Sequence, residues 1–323
     1  LVITGSGTAA MEAAIVGCCK KDGKTLVCHA GKFGERWRDV LKAFGIPYVE
    51  YQQEYGHGFK AEKVAAKIKE NPGIKSLIFV HSETSTCAVS EAQGIAKVCR
   101  DNNILCMVDG ITSIGAIPFK MDEWGVDIAV TGSQKALMLP PGLGIVAVSD
   151  RAWEVIDSNT YPAYYNDLKR YRKSMKDNDT PYTPNNQMVN GLKYTLGLIK
   201  KEGIENIWAR TAKLANATRA AIKGLGLTLY AKDPVDSVTG INTPAGVDDD
   251  KLRKTCRAKF GIHFAAGQGE MKGKMFRINH MGYVDEVDTV GAIAALEWVL
   301  AEQGYKFTMG AGVTAFMKAM TGK

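Results

Sequence analysis

The sequence predicts an α/β protein in which a mostly parallel, seven-stranded sheet forms a large domain and a smaller α+β domain follows at the C-terminus. First, seven short apolar runs alternate with helical patterns over roughly the first 150 residues, which is typical of strand–helix–strand units. Second, a polar segment with five tyrosines and three prolines interrupts this alternation between residues 151 and 190. Third, long helical patterns with few strand candidates dominate the rest of the chain.

The predicted strands are short runs of apolar and β-branched residues. They cover residues 1–4, 25–29, 48–51, 76–81, 104–109, 127–131 and 144–149. Helices are predicted between them, where apolar residues recur every three or four positions. These helices cover residues 8–20, 34–44, 61–70, 90–102 and 121–125. Because parallel neighbouring strands need such crossovers, the alternation indicates a doubly wound layer.

Residues 151–190 are predicted to be irregular around one short helix, because prolines and polar residues interrupt every periodic pattern. A long amphipathic helix follows at residues 188–202. Beyond it we predict helices at residues 208–225, 248–260 and 285–302, and strands at residues 227–230 and 275–278. This change of pattern divides the chain into a large domain of residues 1–200 and a small domain of residues 201–323.

Composition argues against several classes of protein. The formal charge of +7 is spread among acidic residues, so no nucleic-acid partner is predicted. No apolar run approaches the roughly 18 residues of a membrane helix and no secretory signal opens the chain, so we expect a cytoplasmic protein without a membrane partner. The seven cysteines contain no Cys-x-x-Cys pair and the five histidines are dispersed, which predicts no metal site. Because residues 1–4 already resemble a buried strand, we expect that an N-terminal segment is missing.

Ligands of parallel sheets bind beyond the carboxyl ends of the strands, and the first strand ends in a suitable turn. Gly5-Ser6-Gly7-Thr8 follows this strand and opens a helix. Glycine lets the backbone approach a ligand, and the unpaired N–H groups of a first helical turn attract anions, so the turn predicts a phosphate site. The alternative is a tight strand-to-helix turn with a threonine cap.

Two further strand ends carry a carboxylate and an amine. Asp109 ends an apolar strand, where a buried carboxylate needs a cation or a protonated ring as its partner. Lys135 follows another strand among small residues, where loss of hydration favours an amine nucleophile. Taken singly, each has an alternative, namely an exposed aspartate that caps a turn and a solvated surface lysine. Together with the phosphate site they match the phosphate, ring nitrogen and aldehyde of pyridoxal phosphate.

These motifs identify a resemblance that extends over nearly the whole chain. The sequence resembles the class V branch of the fold-type I pyridoxal-phosphate-dependent aminotransferases, and most closely the alanine–glyoxylate, serine–pyruvate and serine–glyoxylate group. The most specific matches are Gly5-Ser6-Gly7-Thr8, Gly31-Lys32-Phe33-Gly34-Glu35-Arg36, Glu83-Thr84-Ser85-Thr86, Asp109-Gly110-Ile111-Thr112-Ser113, Ser133-Gln134-Lys135-Ala136 with Pro140-Pro141-Gly142, and Phe276-Arg277-Ile278. One departure is Cys87, which stands where relatives usually have glycine.

The resemblance implies a role for each matching side chain. Lys135 and Asp109 would be the catalytic pair, with Lys135 as the Schiff-base lysine and Asp109 as the partner of the pyridine nitrogen. Phe33 would stack on the cofactor ring, although it could instead be an ordinary core aromatic. Thr84 would form a hydrogen bond with the ring hydroxyl, and Ile111 would pack beneath the ring. The phosphate would be bound by Ser6, Gly7, Thr8 and Gln134. Arg277 would bind the α-carboxylate of the substrate.

The resemblance also implies a homodimer with shared active sites. In the family, the neighbouring subunit completes the phosphate site, at positions that are similar to Tyr182 and Asn185 here. The implied reaction is a transamination between a small amino acid (alanine, serine or aspartate) and a 2-oxo acid (glyoxylate or pyruvate).

Three alternatives stay open at this point. The first is a pyridoxal-phosphate-dependent lyase such as cysteine desulfurase, against which Gln134 stands where those enzymes usually carry histidine. The second is a nicotinamide-dependent dehydrogenase, against which Ala10 replaces the third glycine of Gly-x-Gly-x-x-Gly. The third is a non-catalytic, aminotransferase-like assembly subunit.

Overall fold

The computed structural model describes residues 1–322, and its N-terminal part alternates strands and helices. In chain order these elements are β1 (Val2–Thr4), α1 (Gly7–Cys18), β2 (Lys24–His29), α2 (Lys32–Ala43), β3 (Tyr48–Gln52), α3 (Ala61–Glu70), β4 (Ile74–Val80), β5 (Ser82–Glu83), β6 (Ala88–Val89), α4 (Ala92–Asp101), β7 (Leu105–Asp109), α5 (Met121–Trp124), β8 (Ile128–Gly132) and β9 (Leu143–Val148). The seven predicted strands are all present, with ends within about two residues of the predicted ones.

The C-terminal part is mainly helical. It contains α6 (Asp150–Ser158), α7 (Leu168–Met175), α8 (Asn186–Glu202), α9 (Ile204–Gly224), β10 (Val238–Asn242), α10 (Asp249–Phe260), β11 (Ala265–Ala266), β12 (Met275–Asn279), α11 (Glu286–Glu302) and α12 (Ala311–Thr321). No helix among residues 1–322 has the length and apolar character that crossing a membrane requires.

The large sheet has the strand order β1-β9-β8-β7-β4-β2-β3. Its four central pairings, from β8 to β3, are parallel, and the two pairings made by β9 are antiparallel. The prediction of a mostly parallel, seven-stranded sheet is therefore confirmed. Since β9 runs against both its neighbours, β1 points in the same direction as β8, β7 and β4. The carboxyl ends of these four strands consequently meet along one edge, where a ligand of such a sheet binds.

Helices cover both faces of this sheet because the central strands are apolar on both sides. One core lies between the sheet and α1, α2, α6 and α7, and contains Met11, Ile15 and Trp37. The other lies between the sheet and α3 and α4, and contains Phe79 and Ile95. Two buried faces fix the sheet rigidly, so its carboxyl edge is a firm platform for side chains.

The C-terminal part has a core of its own. The antiparallel sheet β10-β12-β11 packs with α9, α10, α11 and α12 around Phe276, Leu296 and Phe316. Helix α8 ends at Glu202 and α9 begins at Ile204, with Gly203 between them at φ 89°. We therefore propose to retain a domain boundary near residue 200.

Several predicted elements need correction. Residues 151–190 contain two helices, α6 and α7, each started by a side-chain cap from Ser149 or Asp167. The predicted strand at residues 227–230 is wrong, because only Leu229 pairs there, as an isolated bridge with Ile241. Strand β10 and helix α12 were not predicted, and α9 begins four residues earlier than expected. Short segments of this kind form because tertiary partners stabilise them, which local periodicity does not report.

Candidate active site

The carboxyl edge of the large sheet holds a cavity of about 220 Å³. Nine of the residues predicted to bind a cofactor line it, namely Ser6, Gly7, Thr8, Phe33, Thr84, Asp109, Ile111, Gln134 and Lys135. They lie in the turn after β1 and the start of α1, in α2, in the turn after β5, at the end of β7 and in the loop after β8. The strand order thus brings together Ser6 and Lys135, which are 129 positions apart. The cavity wall also includes Arg36, Val80, Ser82 and Thr112, to which no role was assigned from the sequence.

The turn after β1 forms an uncharged cradle at the start of α1. The Ser6 hydroxyl caps the helix by accepting the Thr8 N–H at 3.3 Å, so the cap is Ser6 and not the threonine considered from the sequence. Gly7 lies directly against Ile111, because a Cβ at this position would lie 2.7 Å from Cδ1 of Ile111 and would displace that side chain. Ser6, Gly7 and Thr8 line the cavity and bring two hydroxyls and the N-terminus of α1 to it, which is a suitable environment for a phosphate.

Asp109 is 3% exposed at the end of β7. Its carboxylate accepts the indole N–H of Trp37 at 2.9 Å and the backbone N–H of Ile111 at 3.0 Å. Burial raises its pKa, whereas these two donors lower it. Among residues 1–322 no cationic group lies within 4.0 Å of this carboxylate. A buried carboxylate that faces a cavity with only neutral donors fits a protonated ring nitrogen as its third partner.

Lys135 is half-buried in the loop after β8. Desolvation lowers its pKa, as does the positive charge of Arg277, while Asp109 raises it. The loop is held by Ser133, whose hydroxyl donates to the Pro140 carbonyl at 2.8 Å and accepts the Leu143 N–H at 3.1 Å. A fixed amine with a depressed pKa is the form that attacks an aldehyde carbon.

Arg277 lines an adjoining cavity of about 310 Å³, which shares Phe33, Thr84, Gln134 and Lys135 with the first. Its guanidinium donates to the carbonyls of Thr84 at 2.6 Å and Ala266 at 2.7 Å, so two bonds fix its plane. Its Nε is buried without a hydrogen-bond partner within residues 1–322, and desolvation lowers the pKa of the side chain. A carboxylate ligand would offset this desolvation.

The start of α2 is positioned by the turn after β5. Glu83 is 4% exposed and accepts the Gly34 N–H at 2.9 Å, while the Ser85 hydroxyl accepts the Lys32 N–H at 2.9 Å. Gly31 permits this approach, because a Cβ there would lie 2.5 Å from the Glu83 side chain. The turn thereby places three α2 side chains at the site: Phe33 and Arg36 on the cavity, and Trp37 on Asp109.

Trp37, Arg36 and Glu83 were the main omissions from the sequence prediction. Arg36 and Glu83 lie inside motifs that carried the family resemblance, and Trp37 directly follows one of them. Their position in or next to these motifs is the feature of the sequence that could have identified them as site residues. The backbone at Cys87 shows why relatives usually have glycine at this position: its φ is 60°, a left-handed conformation that glycine adopts more readily.

Tyr182 and Asn185 do not line either cavity. Tyr182 stacks on Tyr165, with ring centroids 4.9 Å apart, and Asn185 caps α8 by accepting the Met188 N–H at 3.2 Å. Because the resemblance assigns both to the site of a neighbouring subunit, a single chain does not test this assignment, and it stays a prediction.

The features of the two cavities fit pyridoxal phosphate and an amino-acid substrate. The cradle at α1 suits the phosphate, Asp109 suits the ring nitrogen, and Lys135 suits the aldehyde. Arg277 suits a substrate carboxylate, and it lines the same cavity as Lys135. No group of three His, Cys, Asp or Glu side chains within residues 1–322 could hold a metal ion.

Comparison with known proteins places the chain in a family. Residues 1–284 match the model of the aminotransferase class-V family. The chain is 41% identical over 321 residues to a protein named soluble hydrogenase 42 kDa subunit from Anabaena cylindrica, covering 98% of this chain and 84% of that protein. It is 37% identical over 322 residues to the serine–glyoxylate aminotransferase of Methylorubrum extorquens, covering 96% and 80%.

Solved structures agree with this assignment. Pyridoxamine–pyruvate aminotransferase from Mesorhizobium loti superimposes with a TM-score of 0.95 at 28% identity, covering 100% of this chain and 84% of that one. The predicted fold type I is thereby confirmed, and with it the assignment of the chain as an aminotransferase. The sequence, fold and family match all lead to one conclusion: this chain belongs to the class-V aminotransferases.

Proposed function

We propose that the chain uses pyridoxal phosphate to transfer the amino group of alanine, serine or aspartate to glyoxylate or pyruvate. The observation that carries this proposal is the position of Lys135, which lines both the cavity with Asp109 and the cavity with Arg277. One amine thus reaches both the place suited to the cofactor and the place suited to a carboxylate substrate. The relatives that act on serine with glyoxylate and on pyridoxamine with pyruvate support the same reaction class.

Bound pyridoxal phosphate supplies an electrophilic aldehyde carbon and a ring that accepts electron density from the substrate. Arg277, held by the Thr84 and Ala266 carbonyls, binds the α-carboxylate and orients the substrate Cα towards Lys135. Lys135 Nζ would accept the proton from the substrate Cα and deliver it to the former aldehyde carbon of the cofactor, which the substrate nitrogen separates from Cα. Asp109 would stabilise positive charge on the ring nitrogen, and Phe33 and Ile111, which line the same cavity, would shield the ring from water.

The proposal includes a homodimer in which Tyr182 and Asn185 of each chain complete the phosphate site of the other. The exposed apolar side chains of α8 support the proposed dimer. Only Leu192 and Thr195 of the 17 residues of α8 are buried, whereas Val189, Tyr194, Leu196 and Leu198 are exposed. The cytoplasmic location also stays a prediction from the sequence.

The proposal is tested with purified protein, pyridoxal phosphate and a panel of donors and acceptors. Wild type should show the visible absorbance of bound cofactor, and borohydride reduction should attach the cofactor to Lys135, as located by mass spectrometry. Lys135→Ala should lose the attachment and at least about 10³-fold of the transamination rate, since the amine acts as both attachment point and base. Lys120→Ala is the matched control, because Lys120 is exposed and pairs with Glu123.

A second candidate function is a non-catalytic subunit of a larger assembly, which the relative named as a hydrogenase subunit favours. The intact set of Lys135, Asp109 and Arg277 supports catalysis instead. The same assay separates the two, because an assembly subunit would show no amino transfer with any donor and acceptor. Sulfide release from cysteine would indicate a desulfurase, although all seven cysteines are buried and none lines the two cavities.

A further inference from the structure

Arg36 lies on the wall of the cofactor cavity, one helical turn after Phe33. Its guanidinium carbon is 5.2 Å from the centre of the Phe33 ring, and its Nη1 donates to the Thr8 hydroxyl at 3.4 Å. Within residues 1–322 it has no carboxylate within 4.0 Å. Its neighbour Arg38 differs in this respect, because Arg38 pairs with Asp39 at 2.9 Å and with Glu50 at 3.2 Å. Arg36 therefore presents a positive charge without an ion-pair partner beside the cradle, although at longer range it lowers the pKa of Asp109.

The cradle needs such a charge. A phosphate monoester carries about two negative charges at neutral pH. Ser6, Gly7, Thr8 and Gln134 are all uncharged, and the N-terminus of α1 contributes roughly half a positive charge. Lys135 is engaged at the aldehyde in the proposed function, and Arg277 lies in the adjoining cavity. Arg36 is the remaining cationic side chain of the cofactor cavity.

We propose that Arg36 is a phosphate-binding residue, which pairs through its guanidinium with the phosphate of pyridoxal phosphate. This inference rests on the proposed function and adds to it a charged contact within the same chain. The contacts with Phe33 and Thr8 hold the guanidinium at the cavity wall, so little side-chain freedom is lost when it binds. A planar guanidinium also presents two parallel N–H groups to two phosphate oxygens.

The test compares two ligands that differ only in the phosphate. Cofactor-free wild type, Arg36→Gln and Arg36→Lys are titrated with pyridoxal phosphate and with pyridoxal, and dissociation constants are read from absorbance. Arg36→Gln should weaken binding of pyridoxal phosphate about tenfold and leave pyridoxal binding unchanged. Arg36→Lys should fall between wild type and Arg36→Gln. Arg38→Gln removes the same charge from the same helix and should behave as wild type.

Each result has a definite meaning. Equal weakening of both ligands by Arg36→Gln would show that Arg36 acts through the Phe33 ring, which both ligands contact, and would overturn the proposal. Unchanged affinity for both ligands would overturn it as well, while leaving the proposed function intact if wild type binds pyridoxal phosphate. If wild type has the same dissociation constant for pyridoxal phosphate and for pyridoxal, the proposed function is rejected, and this inference with it. In the supporting case, added salt reduces the preference of wild type for pyridoxal phosphate more than that of Arg36→Gln.

Discussion

At the scale of single residues, the hydrogen bond from Trp37 to Asp109 shows how the buried carboxylate of the site is held. The two residues are 72 positions apart, and the indole N–H lies 2.9 Å from the carboxylate. The Asp109 carboxylate, proposed above as the partner of the cofactor's ring nitrogen, is thus buried beside one neutral aromatic donor and one backbone N–H. Binding sites often carry such a destabilising group, because its cost is recovered when the ligand binds.

Asp109→Asn should therefore stabilise the cofactor-free protein. Burial raises the pKa of Asp109 above its ordinary value of 3.8, so the folded state holds this proton more tightly than the unfolded chain. The stability contributed by the group is fully present below pH 3.8 and is lost as the pH rises through the folded pKa. The variant lacks this loss, so at pH 7 its free energy of unfolding should exceed that of wild type by about 1 kcal/mol.

Denaturant unfolding of the cofactor-free proteins at pH 4 and pH 7 checks this expectation. The difference in free energy of unfolding between Asp109→Asn and wild type should grow from pH 4 to pH 7. Asp109→Asn should also bind pyridoxal phosphate more weakly than wild type. A difference that does not change with pH would contradict the assignment of Asp109 as a buried acid with a raised pKa.

At the scale of elements, two helices are capped by buried glutamates from distant parts of the chain. Gly31 is the N-cap residue of α2 and Gly310 that of α12, and neither glycine provides a side-chain cap. Glu83 accepts the N–H of Gly34 in the first turn of α2. Glu297 accepts the N–H groups of Gly310 at 2.6 Å and Val313 at 2.9 Å. Both carboxylates accept N–H groups that would otherwise have no partner within the helix, and both lie at the positive end of the helix.

The two glutamates form a matched pair for a test. Glu83→Ala and Glu297→Ala should each lower the free energy of unfolding by about 2 kcal/mol, because each leaves helical N–H groups unpaired. Only Glu83→Ala should also weaken binding of pyridoxal phosphate, since α2 carries Phe33, Arg36 and Trp37. Hydrogen exchange should show that the stability lost in Glu297→Ala is lost at α12. Equal effects of both variants on cofactor affinity would disprove this separation.

At the scale of the whole molecule, the proposed homodimer rests on the exposed apolar side chains of α8. Tyr194 is 70% exposed, and Tyr164 on the preceding segment is 68% exposed. Tyr164 also contacts the ring of Tyr182, with centroids 5.7 Å apart, and Tyr182 is the residue predicted to reach the neighbouring site. Contiguous exposed apolar side chains of this kind mark interfaces.

Tyr194→Asp should shift the dimer towards monomer by at least tenfold in dissociation constant, because it places a charge in an apolar contact. Sedimentation velocity over a range of concentrations measures the shift, and the monomer should also bind pyridoxal phosphate more weakly. Met309→Asp is the control, since Met309 is 62% exposed on the C-terminal part. A wild type that is monomeric at micromolar concentration would contradict the prediction.

The sequence by itself determined the seven strands, most of the helices and the local chemistry at the strand ends. Ser6 to Thr8, Asp109 and Lys135 could be selected because each directly follows an apolar run that identifies a strand. Such signals are local, since a strand or helix and the turn that ends it are contiguous in the chain.

Only the tertiary structure decided which distant groups hold these residues in place. Trp37 on Asp109, Glu83 beneath α2, and the Thr84 carbonyl that fixes Arg277 from 193 positions away all depend on the strand order and the packing around it. The same holds for Arg36 at the phosphate cradle, and for α12, whose first turn needs Glu297. Hydrophobic periodicity reports which face of an element is buried, but the partner that covers this face is chosen by the packing of the whole chain.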